Sequence, residues 1–329
     1  MRVFLALSVL AAGAAGTAFA RVDTALLNLV PADAMTVSGI DVEHARGSQF
    51  GQYFLAKLGH EDDDFRRFVM RTGFDPRRDL RDVLIATGSV SGGGDAPQTL
   101  ILAHGVFNPA KIESAAKAYG RTIQNYRGVE LIVDNKNPSE SAVAFLDADT
   151  VVMSNVATLK TIVANRGTST TLDPALSQLI ESVGADNDAW FASTHSGAYL
   201  ARHMEHELHQ QVSGSQAVQS IRQASGGIRF GDTVTLTLDA KTRSPQDAVS
   251  LVDVARFFTS MVQMQRQHDP RAAIVATALD KMVLTTDGDS MHVSVSLSEK
   301  DIEQLAQLGS EDRPAAVSGS TPPPKTLSR

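Results

Sequence analysis

The stretch Ser141 to Gly167, SAVAFLDADTVVMSNVATLKTIVANRG, constrains the fold most, because it spells one supersecondary unit that returns near the end of the chain. The apolar run Ala142 to Leu146 halts at the turn-forming Asp147-Ala148-Asp149 and resumes at Val151 to Met153, which predicts a hairpin. Ser154-Asn155 supplies capping oxygens, Leu159, Ile162 and Val163 share one helical face, and Gly167 closes the helix. Met282 to Thr286, Asp287-Gly288-Asp289, Met291 to Val295 and a helix from Ser298 through Leu305 replay that order, with Ser298 and Asp301 spaced as a capping box.

The segments before each unit also correspond. Asp188-Ala189-Trp190-Phe191-Ala192-Ser193 lies on Asp33-Ala34-Met35-Thr36-Val37-Ser38, and both read as strands. Ser244-Pro245 opens a helix after the strand Val234 to Leu238, as Asn108-Pro109 does after Thr99 to His104. The helix after Ser244 turns Leu251, Val252, Ala255, Phe258 and Val262 inward, and Gly226-Gly227 reads as a joint before its strand. The expected fold is therefore α+β: two diverged repeats, residues 21–184 and 185–308, each a mainly antiparallel sheet with helices packed on one face. The tail 309–329, with Pro322-Pro323-Pro324, has too little apolar content to fold and is expected to be disordered.

Residues 1–20 carry the three parts of a secretory signal: Arg2, the apolar run Val3 to Ala15, and the small-x-small site Ala18-Phe19-Ala20. Cleavage between Ala20 and Arg21 is expected, placing the mature protein in the periplasm or outside the cell. The apolar run is shorter than the roughly 20 residues a spanning helix needs, and no later run approaches that length. The chain has no cysteine, so neither a lipid-modified cysteine nor a disulfide is available. A formal charge of -7 argues against a nucleic-acid partner.

Chemistry-bearing motifs are sparse. His203, His206 and His209 sit among glutamates at helical spacing and can share a metal, but the order is not that of a zinc protease. Leu200, Met204, Leu208 and Val212 define the buried stripe of that helix, which turns His206 and His209 to water, so a solvated face is the preferred reading. The pairs Asp147/Asp149 and Asp287/Asp289 read as turn residues rather than calcium ligands. Gly88 to Asp95 lacks the lysine and hydroxyl of a phosphate loop and reads as a hairpin loop. Ser193 to Ser196 put hydroxyls beside His195 without a third catalytic partner, and Trp190 reads as core. No residue is assigned a catalytic role, and no cofactor motif is present.

The leader followed by Pro31-Ala32-Asp33-Ala34-Met35, Thr72-Gly73-Phe74-Asp75-Pro76, the Asn108-Pro109 helix and the 141–167 hairpin-helix resembles uncharacterised exported bacterial proteins, many from acidobacteria. The likeness covers most of residues 31–165. It implies location and fold and transfers no catalytic residue. The expectation is a non-enzymatic exported protein that binds a partner protein or an apolar ligand at or between the two lobes. The alternatives are a metal-assisted hydrolase using the histidines at 203–209 and an envelope structural or assembly factor.

Overall fold

The computed structural model describes residues 22–48, 51–52, 63–88, 98–134, 141–168, 170–195, 197, 215–231, 233–298 and 300–305. Their strands join into one antiparallel sheet. The strands are β1 (Ala34–Asp41), β2 (Leu80–Gly88), β3 (Thr99–Gly105), β4 (Thr122–Tyr126), β5 (Val129–Val133), β6 (Ala142–Phe145) and β7 (Thr150–Ser154) in the first half. The second half supplies β8 (Ala189–Ser193), β9 (Gln223–Phe230), β10 (Val234–Lys241), β11 (Met282–Asp287) and β12 (Ser290–Leu297). The helices are α1 (Thr24–Leu27), α2 (Val42–Gly47), α3 (Asp63–Thr72), α4 (Pro76–Asp79), α5 (Pro109–Ala118), α6 (Val156–Ala164), α7 (Pro174–Gly184), α8 (Ser215–Gln219), α9 (Pro245–Gln265) and α10 (Pro270–Leu279). None of the described helices is long and apolar enough to cross a membrane.

The strand order is β11-β12-β10-β9-β8-β1-β2-β3-β7-β6-β5-β4. Reading outward from the centre, β1-β2-β3-β7-β6 on one side meets β8-β9-β10-β12-β11 on the other, and the hairpin β4-β5 extends the first side alone. The halves join through the antiparallel pair β1 and β8, in which Val37 faces Ala192. These two residues are each other's counterparts when the two Asp-Ala-x-x-x-Ser segments are superposed, and both are fully buried. The two half-sheets are thus continuous across this pair.

Strand side chains alternate between faces. On the first face, Val37, Leu84, Leu102, Val152, Ala144 and Leu131 pack under Leu26 of α1, Leu159 and Ile162 of α6, and Leu176 and Ile180 of α7. On the second face, Val83, Ala103 and Val151 meet Val42, Phe74 and Phe107 in the first half. In the second half, Ala224, Ala240 and Met291 pack on Leu251 and Val252 of α9. Helical residues 300–305 place Ile302 against Phe230 and Val234 on this second face, whereas α6, their counterpart in chain order, lies on the first. Among the described residues, the helices of the second half therefore cover one face.

Local chemistry explains most boundaries. Asp23, Asp41, Asp75, Asn108, Asn155, Asp173, Ser244 and Asp269 each cap a helix with a side-chain oxygen, and proline opens α4, α5, α7, α9 and α10. Ser298 and Asp301 form the expected reciprocal box, and Lys281 reaches Asp301 at 2.5 Å. These donors hold the Asp301 carboxyl down at about 2. Asp147 accepts from the amide of Asp149, and Gly288 takes φ 54 in the two-residue turn before Ser290, so both aspartate pairs turn the chain.

Two expectations need correcting. Gly226 and Gly227 lie inside β9 rather than at a joint. A Cβ at Gly227 would come within 2.1 Å of the Asn187 side chain, and one at Gly226 within 2.6 Å of the Thr237 carbonyl, so both glycines serve close packing. Phe258 does not belong to the inward stripe of α9, because it is 37% exposed. The periodicity of Phe50, Phe54 and Leu58 predicts an amphipathic helix, which falls largely outside the described residues.

Candidate functional site

Polar side chains gather at one end of the central strands. Asp41, Asp82 and His104 lie in register on β1, β2 and β3, so all three point to the first face. A register shift between Leu80 and Asp82 marks a bulge, which turns Leu80 toward Val83 on the second face and leaves Asp82 on the first. Asp23 reaches the same spot from above. Its Oδ1 accepts the amides of Ala25 and Leu26 at the start of α1, and its Oδ2 pairs with His104 Nδ1. Ligand-capable atoms of Asp23, Asp82 and His104 all lie within 4.8 Å of one another.

The three groups are not equally satisfied. Among the described residues no hydrogen bond reaches the Asp82 carboxylate. Burial, together with the negative charge of Asp41, Asp23 and Glu43, pushes it up to about 6, against a smaller opposing effect of His104. Next to this group, His44 Nδ1 stands 2.7 Å from Asp188 Oδ1, and Asp188 Oδ2 accepts the amide of Phe230. Burial is the main cause that raises Asp188, against the lowering effect of the Phe230 amide and His44. This second pair ties α2 to the segment that enters β8.

Two surfaces of the second half are unlike the rest. On the first face Ser225, Asp239, His292 and Thr285 stand in one row across β9, β10, β12 and β11. With Arg229 and Asp186 they border a groove of about 370 Å³ between α7 and the strands. His292 Nδ1 pairs with Asp239 across that row. The groove lies where the two halves meet, and its hydroxyl, imidazole and carboxylate groups suit a polar occupant.

The other surface is the outer side of α9. Leu251 and Val252 face the sheet, while Val249 (43% exposed), Phe257 (56%), Met261 (42%) and Met264 (76%) face outward. At 100° per residue those four fall within an arc of about 120° opposite the buried side. Phe258 packs edge-on to Phe257 at 5.9 Å and widens the strip.

His203, His206 and His209 lie outside the described residues, as does the glycine-rich loop from Ser89 to Asp95. Trp190 is core, 6% exposed. Its register partners are Gly39 and Gly227, and a Cβ at Gly39 would sit 2.5 Å from the indole. Ser193 Oγ is spent on Thr36 Oγ1, 2.7 Å away, and on the His195 amide, which makes the segment a strand-end turn. The cluster of Asp23, Asp82 and His104 was not anticipated from sequence, since its members come from three distant segments that only strand register brings together. No family model, no curated protein and no solved structure matches this chain.

Proposed function

We propose that this is an exported, non-enzymatic binding protein that docks a partner protein on the outer side of α9. The observation that carries the reading is the exposed strip of Val249, Phe257, Met261 and Met264 on a helix whose opposite side is already buried. Aromatic and methionine side chains are enriched at protein interfaces, and methionine adapts to irregular partner surfaces. Leaving such groups in water has a cost that a partner relieves. The reading favours a partner protein over an apolar small ligand, because the strip is convex and on a helix rather than enclosed. Export rests on the tripartite leader at residues 1–20, and the matching strand order of the two halves supports descent from a duplicated unit.

The test is site-specific photo-crosslinking in the producing cell, with the photoreactive residue at Phe257 or Met264 and, as a control, at Thr285 on the opposite face. The reading expects one discrete adduct from the α9 positions and none from Thr285. Absence of adducts from both α9 positions contradicts it. An adduct whose mass is twice that of the mature chain identifies the partner as a second copy.

A further inference from the structure

We propose that Asp23, Asp82 and His104 form a binding site for a first-row divalent cation, of which zinc is the best fit. Two carboxylates and an imidazole are a donor set for such ions, and three protein ligands leave a fourth position for water. The site is distinct from the histidines at 203–209 and independent of the docking surface on α9.

The argument rests on how each ligand is held. Asp82 and His104 are directly opposed on neighbouring strands, where side chains start about 5 Å apart, and β2 and β3 keep that spacing. The third ligand is oriented by its own duties: Oδ1 of Asp23 is fixed by the amides of Ala25 and Leu26, so Oδ2 is aimed at the other two groups. Such secondary hydrogen bonding is what orients ligands at metal centres. The ring and the capping carboxylate are both partly shielded, 22% and 18% exposed.

Charge points the same way. Asp23 and His104 satisfy each other, but Asp82 faces Asp23, Asp41 and the exposed Glu43 without a donor. Asp41, itself a carboxylate, adds like charge, and His44 is committed to Asp188 rather than to Asp82. Thr150, opposite His104 on β7, is uncharged. A divalent cation between Asp82 and the Asp23–His104 pair neutralises the excess negative charge.

The experiment uses the full mature chain, stripped with chelator and titrated with zinc chloride in a calorimeter at neutral pH. We expect one equivalent to bind, with affinity falling at least about tenfold in Asp82→Asn and in His104→Ala. We expect it to persist in the triple variant His203→Ala/His206→Ala/His209→Ala. Cobalt(II) provides a readout that needs no variant: visible absorption of a four-coordinate ion, abolished by zinc, is expected of the parent. Binding lost only in the triple variant, no heat at micromolar zinc, or cobalt spectra like those of the free ion would overturn the proposal.

Discussion

At the scale of single residues, Asp82 sets stability against the proposed metal site. Its carboxyl is raised from 3.8 to about 6 in the fold, so the native state binds a proton more readily than the unfolded chain does. Stability from this group is therefore greatest below pH 4 and declines as pH rises through about 6, the reverse of a salt-bridged aspartate. Asp82→Asn is expected to raise metal-free stability at neutral pH by about 1 kcal/mol, less than the shift alone implies because water screens a partly exposed group. Urea denaturation at neutral pH and at pH 4 checks this, and a destabilised variant at neutral pH contradicts it. Gly39 shows the opposite kind of constraint. Gly39→Ala forces a methyl group into the Trp190 indole, and an overpacking loss of about 1–3 kcal/mol is expected in the same assay. A neutral result would mean that the indole does not lie over β1.

Elements formed where local chemistry and pattern agree, and this sets what was legible in the sequence. The hairpin β6-β7, helix α6 and the turn at Gly288 follow from alternation, caps and glycine, and they lie where the pattern puts them. β4 was missed because TIQNY at the sheet edge has little apolar content, and its turn uses Arg127 at φ 51 before Gly128 at φ 83. β9 was hidden by Gly226-Gly227, which read as a break although tertiary packing demands small residues there. α10, with its Asp269 cap and Pro270, carried the usual start signal and was overlooked. The metal candidate was illegible for a different reason: residues 23, 82 and 104 meet only once two strands are in register and α1 lies over them. On α9, periodicity extends the inward stripe to Phe258, whose ring lies at its margin, 37% exposed. Replacing Phe257 and Met264 by serine is therefore expected to change stability by no more than about 0.5 kcal/mol each. Leu251→Ala on the buried side is expected to cost about 2–4 kcal/mol. A large loss from the outer pair would show that the strip is already covered within the molecule.

For the whole molecule, the order of strands matters more than the two-lobe division that the sequence implied. Among the described residues the halves are continuous through β1 and β8, with Val37 and Ala192 at the centre. The first half buries both faces of its strands. Among the described residues, the second buries one and has a polar groove on the other, with the apolar strip on the outside of its covering helix. The proposed docking strip therefore belongs to the second half and the polar groove lies where the halves meet, while the metal candidate sits beside the seam in the first. This arrangement requires that the halves unfold together, since separating β1 from β8 exposes Trp190, Val37 and Ala192 at once. The most direct measurement is equilibrium denaturation of the chain followed both by Trp190 emission, which reports the seam, and by far-ultraviolet circular dichroism, which reports all elements. Coincident single transitions from a blue-shifted native emission are expected. Two separated transitions, with the tryptophan signal lost while half the ellipticity remains, would contradict a single sheet joined at β1 and β8.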